Sequence, residues 1–403
     1  MMRSRRPLEI FLIIVCLLLL QACFPSFIPK LPTEAPTLPP AIPTEHSEPT
    51  LEPTPTLEPT EALAPPNGQI IFRYNANLWR YLVDSGTLEQ LTFDGVPGDY
   101  GNAYNKAEIS PDGAVLAYIK GENSYMNDFT SGTKVDMSAY GKFIKWNGVG
   151  RQFFTMLGNM TCPPVENLED QSLLNFNVMR YDQTNLSSST NLGNIGGGLK
   201  FVNTISNDGQ WLVANSCGCY SECGSESVWH LPTLNQISPP FSFQIGAIDF
   251  SPDSSRTVFG QWQMYGYEES ALYTAGSNLS SPITIYNRSD TAPIRQEWSP
   301  DGSMIAFTLV EIDPVQRTAT EHMVILISPD GHEQLLVESG NAEFLAWSPD
   351  SSRILYSREF GGVRQVYVYD RVSETRTLLP FVIDAYSDSA VDWGRLSIGD
   401  LGL

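Results

Sequence analysis

The chain has 403 residues, of which 42% are hydrophobic and 11% aromatic. That suffices for one large repeat-built core or two ordinary ones, and excludes wholesale disorder. The formal charge of −21 divides unevenly, with +2 on residues 1–22, −5 on residues 23–66 and −18 on the remainder. A domain that acidic repels phosphate backbones, so no nucleic-acid partner is expected, and four histidines leave little scope for His-based catalysis.

Arg3, Arg5 and Arg6 precede an apolar run from Ile10 to Leu20, the layout of a secretory signal. The run is too short to span a bilayer comfortably as a helix. It ends in Leu20-Gln21-Ala22-Cys23, which resembles the bacterial lipoprotein box, with Leu at −3, a small Ala at −1 and Cys at +1. The resemblance implies cleavage after residue 22, a diacylglyceryl group on the Cys23 thiol and acylation of the new amine. Two or three acyl chains, at about 0.8 kcal/mol per buried methylene, anchor stably where one is marginal. The expected location is extracytoplasmic, lipid-anchored to a bacterial membrane, facing either the cell surface or the periplasm. The alternative is an ordinary signal peptide with an incidental cysteine.

Residues 24–66 are rich in Pro, Thr and Glu, with near-repeats Glu48-Pro49-Thr50-Leu51-Glu52-Pro53-Thr54 and Leu57-Glu58-Pro59-Thr60. Proline fixes φ and removes backbone donors, and the glutamates repel one another, which predicts an extended tether. At about 3.1 Å per residue it reaches roughly 100 Å. The domains expected are a signal at 1–22, a lipidated cysteine and linker at 23–66, and a globular domain at 67–403.

One pattern recurs through that domain: an apolar or aromatic residue, a Ser-Pro-Asp-Gly-like turn, then a short apolar strand. The copies begin at Ile109-Ser110-Pro111-Asp112-Gly113, Ile205-Ser206-Asn207-Asp208-Gly209 and Phe250-Ser251-Pro252-Asp253-Ser254. Two more begin at Trp298-Ser299-Pro300-Asp301-Gly302 and Trp347-Ser348-Pro349-Asp350-Ser351, with degenerate copies at Trp146-Asn147-Gly148 and Trp393-Gly394. Their mean spacing is about 47 residues. That period with strand-length apolar runs predicts an all-β protein, a β-propeller of four-stranded blades. Pro presets the turn, Asp bonds the backbone ahead of it, and Gly takes a conformation costly for other residues. Calcium binding by the aspartates is the rival reading, but each copy offers a single carboxylate.

Residues 68–93 supply three strands without a first, and Ala390-Val391-Asp392-Trp393 supplies a first strand without the other three. Joining them in one shared blade closes a ring of seven; six blades is the alternative. The Ser-Pro-Asp-Gly units with Trp or Phe in front, and the strand end Gln90-Leu91-Thr92, resemble the WD40-like repeats of the TolB propeller family. The resemblance covers roughly residues 68–396 and implies the fold, not a function. The same repeats precede peptidase domains in the prolyl oligopeptidase family, but no Gly-x-Ser-x-Gly elbow is present here and no hydrolase domain is expected.

Beyond the signal and Cys23 the chain has Cys162, Cys217, Cys219 and Cys223, placed in corresponding loops of neighbouring units. An even count in an exported protein predicts two disulfides of undetermined connectivity, with a zinc site as the rival. On the same face, the loop with Trp262, Tyr265, Tyr267, Glu268 and Glu269 combines aromatics and carboxylates suited to a sugar or a peptide. The bland alternative is aromatics packed between blades. His230, His322 and His332 form no constellation; Glu321 beside His322 is adjacency only. No catalytic residue, metal or cofactor is expected. The reading is a monomeric, membrane-anchored, non-enzymatic binding or scaffold module for a protein or cell-wall glycan. The alternative is a glycan-binding or glycan-active propeller whose central channel gathers carboxylates.

Overall fold

The computed structural model describes residues 68–395, apart from 98–102, 122, 149–150, 160–174, 196–198, 218–222, 238–244, 262–269, 362 and 385–389. The signal, Cys23 and the tether lie outside the described residues.

The described strands form seven four-stranded antiparallel sheets, the blades of a seven-bladed β-propeller. In chain order the first blade holds β1 (Gln69–Tyr74), β2 (Asn77–Leu82) and β3 (Thr87–Gln90). Blade 2 runs from β4 (Tyr104–Ile109) through β5 (Val115–Lys120) to β7 (Lys134–Asp136), and blade 3 from β8 (Lys142–Trp146) to β11 (Asn185–Ile195). Blade 4 spans β12 (Leu199–Ile205) to β15 (Asn235–Ile237), and blade 5 spans β16 (Ile245–Phe250) to β19 (Ile283–Asn287). Blades 6 and 7 run from β20 (Thr291–Trp298) to β23 (Gln334–Glu338) and from β24 (Ala342–Trp347) to β27 (Arg376–Ile383). The last strand, β28 (Asp392–Gly394), pairs with β1 and completes blade 1, as expected for a ring sharing one blade between its ends. Seven blades, not six, are formed, and the degenerate copy at Trp146 is the first strand of a full blade.

Alternating apolar side chains on each strand face the neighbouring blades, and the core divides accordingly. Seven buried clusters occupy the seven blade–blade interfaces, from Leu116 and Ile71 between blades 1 and 2 round to Leu355 and Phe72 between blades 7 and 1. At that last seam the rings of Phe72 and Phe381 stack with centroids 4.0 Å apart. Each blade therefore stabilises only its two neighbours, the arrangement expected where one sheet cannot bury both faces alone.

The recurrent turn joins the first and second strands of a blade. In blade 2 the Ser110 hydroxyl donates to Asp112 Oδ1 at 2.7 Å and accepts from Val115 N–H at 2.9 Å. Asp112 also accepts the Ala114 N–H, and Gly113 sits at φ 76°. The same Ser–Asp bond recurs at Ser206, Ser251, Ser299 and Ser348, at 2.5–2.7 Å. A sixth copy at Ser328–Asp330 lies between the third and fourth strands of blade 6. Each aspartate thus closes its own turn, and Asp112 also accepts from Arg151 of blade 3 at 2.5 Å.

In two copies serine occupies the left-handed position that Gly113, Gly209 and Gly302 hold elsewhere: Ser254 at φ 61° and Ser351 at φ 63°. Both hydroxyls accept a backbone N–H from the preceding blade, Ser254 from Asp208 at 3.1 Å and Ser351 from Asp301 at 3.0 Å. Strain is exchanged for a blade-to-blade bond. Ser351→Ala, which keeps the strain and loses the bond, is expected to destabilise by about 1 kcal/mol. Ser351→Gly, which loses both, should stay close to the parent. Denaturant titration of the three proteins checks this order.

Candidate functional site

The first strand of every blade lines the central channel, a cavity of about 1320 Å³. The residue just before the aromatic or apolar residue of each motif occupies an equivalent place in every blade. Reading round the ring from blade 2, these are Glu108, Lys145, Thr204, Asp249, Glu297, Ala346 and Asp392. Four carboxylates and one lysine therefore share one level of the channel.

Three of those carboxylates reach to the next blade. Glu108 Oε1 accepts the Trp146 N–H at 2.9 Å, Asp249 Oδ2 accepts the Trp298 N–H at 3.1 Å, and Asp392 Oδ2 accepts the Ile109 N–H at 2.6 Å. Indoles of the following blade return a bond to the backbone: Trp146 Nε1 donates to Glu108 O at 3.0 Å and Trp347 Nε1 to Glu297 O at 3.2 Å. Lysines lie beside two of the latched carboxylates, Lys106 at 3.7 Å from Glu108 and Lys145 at 4.0 Å from Asp249. Among the described residues the Glu297 carboxylate alone of the four has no hydrogen-bond or ion-pair partner.

Crowding like charges in a desolvated channel raises their proton affinity. Burial and then the neighbouring Glu108 push Asp392 up to about 7, against the bonds from Ile109 and Trp393. Burial raises Asp249, with Lys145 opposing, and burial together with Asp249 and Asp392 holds Glu297 well above the usual carboxylate range. Burial also lowers Lys106. The rim behaves oppositely. At Asp112, Asp301 and Asp350 burial favours the neutral form, but hydrogen bonds from the turn serines and backbone, joined at Asp112 by Arg151, outweigh it and hold each carboxyl below its ordinary value.

A second charged cluster joins blades 6 and 7. Glu343, 5% exposed, accepts from His322 Nδ1 at 2.9 Å and from both terminal nitrogens of Arg364 at 2.7 and 3.0 Å, with Arg295 at 3.5 Å. Burial opposes its ionisation, but those bonds and the arginine charges bring its carboxyl to about 2. His322 thus pairs with Glu343 across the blade interface and not with its sequence neighbour Glu321, which accepts the Gly340 N–H.

The aromatic loop singled out in the sequence, Trp262, Tyr265, Tyr267, Glu268 and Glu269, lies outside the described residues, between β17 (Arg256–Gln261) and β18 (Ala271–Gly276). Cys162 and Cys219 also lie outside them. The backbones of Cys217 and Cys223 are register partners across β13 (Trp211–Cys217) and β14 (Cys223–His230). The side chains of all four cysteines lie outside what is described. Sequence reasoning missed the ring level, although the signal was present: one column of the repeat, directly before the aromatic residue, is charged in five of seven copies.

No protein-family model matches the chain, and no curated protein matches it. Solved structures do. An oligogalacturonate lyase from Vibrio parahaemolyticus aligns at 12% identity and a TM-score of 0.53, over 76% of this chain and 92% of that one. A prolyl endopeptidase aligns at 13% identity and a TM-score of 0.53, over 78% of this chain and 50% of that one. TolB from Acinetobacter baumannii aligns at 12% identity and a TM-score of 0.47, over 82% of this chain and 67% of that one. The chain spans half the length of the prolyl endopeptidase. Enzymes and a Tol protein stand side by side among these neighbours, and at such identities the likeness concerns the fold.

Two predictions follow from the charges. Asp392 is raised in the fold, so its stabilising contribution is present at low pH and is lost as pH climbs through about 7. Asp392→Asn keeps an oxygen acceptor for Ile109, and should melt higher than the parent at pH 8 but equally near pH 3. Glu343 is depressed, so its contribution is present above its unfolded value and disappears as pH falls towards about 2. Glu343→Gln, which removes the negative charge facing Arg364 and Arg295, should destabilise by about 3 kcal/mol at pH 7. Thermal melts across pH 3–8 read both.

Proposed function

We propose that the chain is an extracytoplasmic lipoprotein whose propeller is a non-enzymatic binding module. Cys23 carries the lipid, residues 24–66 hold the domain away from the membrane, and the propeller offers its central channel to a protein or cell-envelope ligand. The observation that carries this is the commitment of the ring carboxylates. Glycoside hydrolysis requires two carboxyl groups free to donate and accept protons across a bond. Glu108, Asp249 and Asp392 are each engaged with a backbone N–H of the next blade, and Glu297 is left without a paired carboxylate free to act. A cavity of about 1320 Å³, whose mixed apolar and polar wall carries charged side chains, suits recognition of a polar ligand. The Trp262–Glu269 loop belongs to this proposal as a second candidate contact, on the strength of its aromatic and carboxylate residues.

One observation favours the glycan-active alternative: a carboxyl held well above its ordinary range, as Glu297 is, has the character of a general acid. The test uses the purified full-length lipoprotein with solubilised cell-wall fragments and envelope proteins from the native cell. Expected are retention of an intact ligand, weakened by Glu297→Gln or by Trp262→Ala with Tyr265→Ala, and no new reducing ends. Reducing ends that appear with the parent and vanish with Glu297→Gln would overturn the binding reading. Fractionation of a Cys23→Ala chain should move the protein from membrane to soluble fractions.

A further inference from the structure

We propose that the channel receives an organic ammonium group, with the Glu297 carboxylate as its counter-ion and the neighbouring Gln296 amide as a neutral acceptor. This rests on the binding reading above and names the chemistry of what is bound.

Three observations on one strand and its surroundings lead there. The Glu297 side chain lines the cavity and has no hydrogen-bond or ion-pair partner among the described residues, whereas the other three ring carboxylates each accept an N–H. Its neighbour Gln296 is 4% exposed and belongs to the same cavity wall, yet neither its Oε1 nor its Nε2 has a partner among the described residues. The first strands of blades 2 to 7 all carry a one-residue bulge at or shortly before this level, and in β20, between Ile294 and Glu297 opposite β21 (Ile305–Ile312), it places Arg295 at φ 54°. A buried amide with both atoms unsatisfied is costly unless something completes it.

The surrounding charge selects the sign of the ligand. Seven carboxylates line the cavity against four cationic side chains. The rim aspartates Asp112, Asp301 and Asp350 stay ionised because their turns hold them so. A cleft lined mostly by negative charge and walled by low-dielectric protein concentrates cations at its mouth. Among the described residues no three of His, Cys, Asp and Glu gather closely enough for a metal ion. An ammonium asks for less: one carboxylate and neutral oxygens for its remaining N–H groups. The hydroxyl-bearing Thr204, in the same wall, is a further acceptor. The ligand is therefore an alkylammonium, either on a free amine or at the end of a lysine side chain.

Binding draws Glu297 into its charged form against Asp249, Asp392 and Glu108, with Lys145, Lys106, Arg295 and Arg395 the cations that line the same cavity. Complex formation therefore releases protons wherever Glu297 is neutral in the free protein, and affinity rises with pH. The experiment is calorimetry of the full-length protein with 1,5-diaminopentane and with the blocked peptides Ala-Lys-Ala and Ala-norleucine-Ala. Each titration is run in two buffers of different protonation enthalpy. Binding of the diamine and the lysine peptide, but not the norleucine peptide, is expected, with loss of about tenfold or more in Glu297→Gln. Partial recovery is expected in Glu297→Asp. Binding of the lysine peptide alone assigns the ammonium to a protein partner; binding of the diamine as well admits free amines. Equal binding of the norleucine peptide, indifference to Glu297→Gln in a variant that melts like the parent, or no heat with any probe overturns the proposal. Retention of an intact envelope ligand without amine binding removes the ammonium and leaves the binding module. Amine binding without an envelope ligand does the reverse.

Discussion

The ring depends on one short antiparallel pairing. Ile70 and Ile71 lie opposite Trp393 and Asp392, so the end of the domain supplies the innermost strand of the blade its beginning builds. Without that pairing β1 would expose an open edge and the cluster of Phe72, Phe381 and Trp393 would lose one wall. The seam is also tight in a way that fixes its residues. A Cβ on Gly394 would lie 2.6 Å from Ile109, which explains why this copy of the motif carries glycine where others carry serine.

Closure brings seven first strands around one axis, and the electrostatics follow. Carboxylates that are far apart in sequence are forced to one level of a narrow channel. The fold uses three of them as acceptors for the next blade's backbone, so that each bridges an interface its own sheet does not reach. The cost appears in the raised proton affinities of Asp249, Glu297 and Asp392. The contrast with Glu343 is instructive. Glu343, 5% exposed but met by His322 and Arg364, is pulled down to about 2. Partners, not depth, decide the direction.

The Ser-Pro-Asp turns divide structural from functional acidity. Their aspartates bond to their own serines and backbones and remain charged, giving the channel mouth a fixed negative rim. Deeper in, Glu297 is the ring carboxylate without such an engagement among the described residues, and its neighbour Gln296 is unsatisfied as well. Local rules for turns, strands and packing agree throughout most of the fold and fail together at this place, where a function is expected to concentrate.

Sequence alone determined the architecture. A period of about 47 residues, a turn whose chemistry is local to five residues, and complementary strand sets at the two ends left little besides a closed propeller. These are short-range signals, and each repeat states them again. The bland reading of the aspartates as turn formers was legible for the same reason. What only the tertiary structure decided was which charges meet. That Glu343 would gather His322, Arg364 and Arg295 from three other strands, and that Glu297 would stand unmatched beside three latched carboxylates, depends on blade count, bulge position and ring closure. Side chains on different blades meet only once the ring is closed, and a repeat period carries no record of those meetings.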